Sequence, residues 1–359
     1  MNWWTTEYAV LFAFLTALIV SSFSIPQIIS IARLKKLYDE PNYRKLHRNN
    51  IPTLGGIAIL FGYFFSMSFW TNFSYCWHLQ YVVTACIIIA VIGIKDDIVG
   101  LSPIMKLIGQ LLAATVLVIW GELKIISWFN IFGVTVLPPL ISIGFSLFTI
   151  IVIINAFNFI DGIDGLAASL GIISSVTFGT YFYFFDTNYQ HAILAFTLTG
   201  ALLGFLYFNK SPAKIFMGDT GSMLIGLIMA MLAIEFINLN IHHHIKTIRH
   251  TSAPALAMSI IFIPLYDVIR VIFLRLIKGH SPFKPDKNHL HHLLLNLGLS
   301  HMKATAVLVL FQLFLIAISF ALHFKGNYWI GFTLLTLTLL FNGILYYQNK
   351  KVLAKKAMS

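Results

Sequence analysis

Long apolar runs alternate with short polar connectors along the whole chain. A helix needs roughly 20 apolar residues to cross a bilayer. Eleven such runs fall near 8–31, 53–71, 80–94, 103–120, 137–155, 165–185, 191–208, 221–239, 252–276, 304–323 and 327–347. The pattern predicts an all-α polytopic membrane protein of eleven transmembrane helices, forming one domain over 1–359. No repeat, low-complexity segment or soluble domain interrupts it. The first run reads as a span, not a cleavable signal, because Met1-Asn2-Trp3-Trp4 supplies no basic residue and no small-residue cleavage site follows.

Composition agrees with this reading. The chain is 58% hydrophobic and only 10% charged, with a mean hydropathy of +0.83. A soluble globular protein has no use for so much apolar surface. With the N-terminus placed outside and the C-terminus in the cytoplasm, 20 of the 24 Lys and Arg face inwards, leaving Lys124, Lys246, Arg249 and Lys325 outside. That asymmetry sets the orientation. The net charge of +11 then belongs to the cytoplasmic face. Most of it serves orientation and attraction to anionic lipid, and a few residues near the motifs below suit a polyphosphate. Nucleic acid is not an expected partner, since there is no soluble basic domain. Cys76 and Cys86 form no redox or metal motif and read as packing residues.

The polar residues carry the chemistry. Of the 13 Asp and Glu, Asp39, Glu40, Asp96, Asp97, Asp161, Asp164, Asp219, Asp267 and Asp286 fall on or near the cytoplasmic side. Glu7, Glu122, Asp186 and Glu235 fall towards the outside. The inner ones sit in compact motifs at span ends, where charge is costly and tends to be functional. Asp96-Asp97 is an adjacent pair that calls for a cation or a shared proton, or is a solvated loop start. In Asn155-Ala156-Phe157-Asn158-Phe159-Ile160-Asp161-Gly162-Ile163-Asp164-Gly165, the residues Asn155, Asn158 and Asp161 recur on one helical face. Such hard oxygen ligands suit Mg²⁺ and phosphate. Asp219, in Met217-Gly218-Asp219-Thr220-Gly221-Ser222, either caps span eight or belongs to an anion or metal site at its start.

Two further motifs lie on the same side. His289-Leu290-His291-His292, after Asp286, suits phosphate contacts or proton handling; zinc is disfavoured because no cysteine assists. Arg48 precedes Pro52-Thr53-Leu54-Gly55-Gly56, which is either a plain helix start or a wall of the site with Arg48 reaching a diphosphate. His242-His243-His244 lies outside and reads as a solvated loop. Asp267 and Arg270, at i and i+3, read as a structural pair.

Together these motifs resemble the polyprenyl-phosphate N-acetylhexosamine-1-phosphate transferase superfamily, over most of the chain from Pro52 to His292. The resemblance implies transfer of a sugar 1-phosphate from a UDP-sugar to undecaprenyl phosphate, with release of UMP and use of Mg²⁺ or Mn²⁺. It implies a bacterial inner-membrane enzyme whose site is built by the cytoplasmic loops 32–52, 95–106, 155–165, 209–221 and 277–303, and it leaves room for a homodimer. By resemblance, Asp219 and Asp97 hold the metal, and Asp96 deprotonates or orients the acceptor phosphate. Asn155, Asn158, Asp161 and Asp164 hold the nucleotide, and Phe216 stacks on uracil. His289, His291, His292 and Arg48 contact the phosphates. The expected catalytic set is therefore Asp96, Asp97, Asp161, Asp164, His289, His291 and His292. An apolar groove near span nine would take the prenyl chain.

The branch is read from departures. The peptidoglycan enzyme, phospho-MurNAc-pentapeptide transferase, has a Lys three residues after its Asp pair, where this chain has Gly100, and an unbroken His triplet. The lead-in Ser281-Pro282-Phe283-Lys284-Pro285-Asp286 resembles the branch that uses UDP-GlcNAc to start O-antigen, common antigen or teichoic acid. The peptidoglycan enzyme is the alternative within the family. From other classes, a secondary transporter would place its charges near the midplane with repeat symmetry, and a CDP-alcohol transferase would space its Asp residues differently.

Overall fold

The computed structural model describes residues 7–39, 51–72, 79–186, 189–241, 251–279, 281 and 288–358. Arg48, Asp286, Cys76 and His242-His243-His244 lie outside the described residues.

Each of the eleven apolar runs is helical. In chain order the helices are α1 (Glu7–Leu34), α2 (Gly55–Trp70), α3 (Leu79–Val99), α4 (Pro103–Thr115), α5 (Pro139–Ile160), α6 (Leu166–Phe185) and α7 (Gln190–Asn209). There follow α8 (Gly218–Leu239), α9 (Ala253–Ile260), α10 (Phe262–Ile277), α11 (Leu290–Asn296), α12 (His301–Ala321) and α13 (Asn327–Met358). A π-helical turn, Val116–Trp120, extends α4. Two short antiparallel ladders complete the described chain. In one, β1 (Tyr38–Asp39) pairs with β2 (Ile51–Pro52); in the other, β3 (Ser127–Ile131) pairs with β4 (Val134–Val136) in a hairpin. Among the described residues, eight helices, α4 with its π turn among them, are long and apolar enough to cross a membrane.

The centre of the bundle is α8. It is apolar over most of its length and buried on nearly every side, and it packs against α2, α3, α5, α6, α7 and α9. By contrast, α1 and α13 leave large apolar side chains such as Phe23 and Trp329 exposed, as lipid-facing helices do. Glycines bring the central helices close. A Cβ at Gly56 would lie 2.2 Å from the Gly221 nitrogen, and one at Gly93 would lie 2.4 Å from the Thr220 Cα. Small residues at such crossings give tight packing where lipid removes the hydrophobic drive between helices. Buried, free Cys86 is a packing residue, as expected.

The ninth run departs from expectation. It breaks at Ile261 into α9 and α10 instead of forming one helix. Pro264 explains the position: it has no N–H to give, and its ring would clash with the Ile260 carbonyl four residues back. The freed groups are met by side chains. Gln312 of α12 donates to the Ser259 and Ile260 carbonyls at 2.7 and 3.0 Å and accepts from the Ile263 amide at 2.9 Å. Ser174 of α6 adds a 2.7 Å bond to the Ile260 carbonyl. Irregular backbone at membrane depth survives only when protein satisfies it in this way.

Candidate active site

The site forms where α3, α4, α5 and α8 end or begin together. Asp96 and Asp97 occupy the last turn of α3. Ser102 caps α4 through the Met105 amide, with Pro103 in the first turn, and this start puts Lys106 one turn into the helix. Its ammonium lies 2.7 Å from Asp96 Oδ2 and 2.5 Å from Asp219 Oδ2. Asp96 Oδ1 accepts the Leu101 amide at 2.6 Å, fixing the α3–α4 turn.

Asp97 reaches across to the start of α8. Its carboxylate accepts the Asp219 amide at 2.7 Å, the Thr220 amide at 3.1 Å and the Thr220 hydroxyl at 2.6 Å. Thus Asp97, a residue of another helix, serves as the cap of α8 and meets the positive end of its dipole. Asp219 is not the cap of its own helix. It stands in the first turn, freed to face Lys106 and Asp96. Gly218 makes this possible with a φ of +70°. A Cβ there would lie 2.3 Å from the Thr53 carbonyl oxygen and 2.6 Å from both Asp97 oxygens. The Pro52–Gly56 stretch forms the adjoining wall: the Phe216 amide bonds Pro52, and Gly55 and Gly56 donate to Phe216 and Met217 at 2.9 and 2.8 Å. Phe216 keeps its ring partly exposed.

Oxygens of Asp96, Asp97 and Asp219 all lie within 4.8 Å of one another. One lysine pairs with two of the three carboxylates, Asp96 and Asp219. The donor set is all hard oxygen, which fits Mg²⁺ or Mn²⁺ better than zinc.

The Asn155–Gly165 run closes a second side. Asn155 pairs amide to amide with Gln110 of α4, donating at 2.7 Å, and Asn158 donates to Ser222 of α8 at 3.0 Å. In this state both clamp neighbouring helices. Asp161 ends α5 and makes no side-chain hydrogen bond among the described residues. Burial, together with the charges of Asp219, Asp97 and Asp164, pushes its carboxyl up to about 8. Asp164 turns the other way. Its carboxylate stands 3.4 Å from His301 Nδ1 at the start of α12. Burial alone would raise it, but hydrogen bonds from His301, Ser211 and the Ala213 amide, with the His301 charge, hold it below the usual carboxylate range.

The histidines come in on α11. His289 and His291 are buried and stack at 5.5 Å, and His292 lies 4.3 Å from the His291 ring. His291 packs directly on Gly162, where a Cβ would be 2.3 Å from its Nε2. Burial and the neighbouring His292 push His291 down to about 3, so it is neutral imidazole. The expected Asp267–Arg270 pair is present at 3.4 Å, and Asp267 also reaches His289 at 2.7 Å.

An apolar groove of about 750 Å³ runs between α5, α9, α10 and α13. Val152, Phe262, Leu265 and Leu335 line its length, Trp128 lies in the lining from the β3–β4 hairpin, and Arg270 brings the lining's charge. It adjoins the broken ninth run, where a prenyl groove was expected.

Sequence reasoning missed Lys106, Gln110, Thr220 and His301 as site residues. Lys106 and Gln110 had a signal, being polar residues at i and i+4 on an otherwise apolar span. His301 had none, because its partner is 137 residues away.

A helical membrane bundle with a carboxylate cluster, a flanking histidine helix and an apolar groove defines a class that works on charged groups carried by lipid. Comparison with known proteins specifies it: the chain belongs to glycosyl transferase family 4, whose sequence pattern matches residues 79–237. It is 34% identical over 320 residues to the decaprenyl-phosphate N-acetylglucosaminephosphotransferase of Mycobacterium tuberculosis, covering 82% of this chain and 78% of that one. The Mycolicibacterium smegmatis protein of the same description is 35% identical over 315 residues, covering 82% and 78%. The undecaprenyl-phosphate alpha-N-acetylglucosaminyl 1-phosphate transferase of Escherichia coli is 34% identical over 286 residues, covering 78% and 75%.

Proposed function

We propose that this protein transfers GlcNAc 1-phosphate from UDP-GlcNAc to undecaprenyl phosphate, releasing UMP and beginning a cell-surface polysaccharide. The observation that carries the reading is the convergence of Asp96, Asp97 and Asp219 with Asp161 and the α11 histidines. The family and the descriptions of its relatives support the same reaction over the peptidoglycan alternative.

In the reaction, an oxygen of the lipid phosphate attacks the sugar-bearing phosphorus of the donor. The bond from that phosphorus to the bridging oxygen breaks, and UMP leaves with the electron pair. Phosphoryl transfer of this kind needs positioning and charge neutralisation more than covalent help, so we favour direct attack without a phospho-enzyme. A bound Mg²⁺, or Mn²⁺, held by Asp219 and Asp97, would supply neutralisation of the diphosphate. Lys106 adds a fixed positive charge between Asp96 and Asp219 and orients both. Asp96 is the group that takes or steers the acceptor's proton. Asn155, Asn158 and Asp161 line the donor's side, with Phe216 available to stack on uracil. Asp164 holds the loop shape. His289, His291, His292 and Arg48 contact phosphates, and the groove holds part of the prenyl chain.

We place eleven crossings in the membrane, counting α9 and α10 together as one. The N-terminus is outside and the site opens to the cytoplasm at the inner membrane, as the Lys and Arg distribution supports. A homodimer is compatible with this arrangement.

The test is UMP release by purified protein with Mg²⁺, undecaprenyl phosphate and UDP-GlcNAc. Lipid-dependent release, lost in Asp219→Ala and on chelation of the metal, is the expected outcome. Turnover only with another UDP-sugar would change the pathway and keep the chemistry. No turnover with any UDP-sugar would end the reading.

A further inference from the structure

The motif histidines need a reason to point where they do, and α10 supplies one. Asp267 is only 1% exposed and carries no direct role in the transfer described above. Both of its oxygens are engaged by the histidine segment. Oδ2 lies 2.7 Å from His289 Nδ1, and Oδ1 accepts the Leu290 amide, the first N–H of α11, at 2.9 Å. Arg270, one turn on, fastens the same segment by donating to the Asn288 carbonyl and to Asn342 of α13. A buried carboxylate is an acceptor only, so the ring nitrogen facing it must carry the proton. Nε2 of His289 is then the ring atom left to meet a ligand, and no described residue hydrogen-bonds it. The ring cannot turn away, because His291 stacks on it at an interplanar angle of 8° and His291 itself rests on Gly162 beside Asp161.

We propose that Asp267 is a positioning residue of the transferase, which fixes His289 as the Nδ1–H form, so that its unprotonated Nε2 accepts a hydrogen bond from a protonated oxygen of the substrate phosphate. The inference rests on the transferase reading. It goes beyond the role of a structural pair with Arg270, because it makes the orientation of His289, and not helix stability, the quantity that Asp267 controls. An aspartate that orders a histidine through Nδ1 acts by setting tautomer and direction together. Since Arg270 also lines the apolar groove, the same unit stands between the lipid's chain and the phosphate chemistry.

Two measurements test this. Nitrogen-15 spectra of histidine-labelled protein in nanodiscs report the tautomer of each imidazole, with His289 assigned by its loss in His289→Gln. A proton on Nδ1 is expected, and a neutral ring protonated on Nε2 would overturn the proposal whatever the substrate. In the UMP assay, Asp267→Asn is expected to lower kcat about 100-fold while donor KM moves by less than about 3-fold. Placed on His289→Ala, the same change should cost less than about 3-fold, because the two act as one unit. Equal losses in both backgrounds would make Asp267 merely structural and refute the proposal. Should Asp267→Asn fail to fold, the tautomer of the unaltered protein still decides. Absence of lipid-dependent UMP release by the unaltered protein would instead defeat the transferase reading, an outcome separate from the tautomer.

Discussion

Single residues in this site are held by geometry that tolerates little change. Gly218 combines a φ of +70° with oxygen atoms 2.3 and 2.6 Å from the position of a Cβ. Gly218→Ala therefore has to strain the backbone, by about 1–2 kcal/mol, and also push Asp97 or Thr53 aside. A displacement of about 1 Å at a reacting centre costs on the order of 100-fold. The variant is expected to insert and fold, yet to release UMP at least about 100-fold more slowly. Asp161 makes a pH prediction. Its carboxyl, pushed up to about 8 by burial and by Asp219, Asp97 and Asp164, binds its proton more tightly folded than unfolded. Its contribution to stability is then present at low pH and is lost as pH rises from the ordinary value of 3.8 towards about 8. Metal-free protein should melt at a lower temperature at pH 8 than at pH 6. Asp161→Asn should shrink that difference, and Mg²⁺ should reverse it in the unaltered protein. A difference unchanged in Asp161→Asn would place the titration elsewhere.

At the scale of elements, one device recurs. An aspartate from one helix caps the start of another: half-buried Asp97 of α3 caps α8, and buried Asp267 of α10 receives the first amide of α11. Each cap sets a functional motif, Asp219 in one case and His289 in the other. The apolar pattern predicted the helices well, and the structure brings the motif carboxylates Asp96, Asp97 and Asp219 together. What the pattern could not show is who caps whom. Asp97 and Thr220 are 123 residues apart, and neither helix carries a local sign of the other. The break in the ninth run was partly legible, because Pro264 lies inside it. The residue that makes the break tolerable, Gln312, is in a run that reads as ordinary lipid-spanning helix. Gln312→Leu should leave the Ser259 carbonyl and Ile263 amide unpaired, at about 1–3 kcal/mol each. A lower melting temperature in detergent, with the metal site still binding Mg²⁺, is the expected result. An unchanged melting temperature would mean that the break is satisfied by other groups.

For the whole molecule, the charge pattern and the site must agree on one side of the membrane. The proposed reaction joins a water-soluble nucleotide sugar to a lipid phosphate, so on that reading the cluster is expected where cytoplasm meets the inner leaflet. The helix ends that carry Asp97, Asp161, Asp219 and His289 converge in one place. On the proposed eleven crossings, Lys124 and Lys325 are expected to face outwards, and Lys210 and Lys303 inwards. Single cysteines at these four positions, in a chain with Cys76 and Cys86 replaced, can be probed in intact cells with a membrane-impermeant thiol reagent. Labelling is expected at positions 124 and 325 from outside, and at 210 and 303 only after the cells are opened. The peripheral loops carry few charges, so the weight rests on the inner lysines near the motifs. Labelling of position 210 from outside would invert the molecule. It would remove the cytoplasmic nucleotide sugar as donor, because the carboxylate cluster and the loop before α8 sit at the same end.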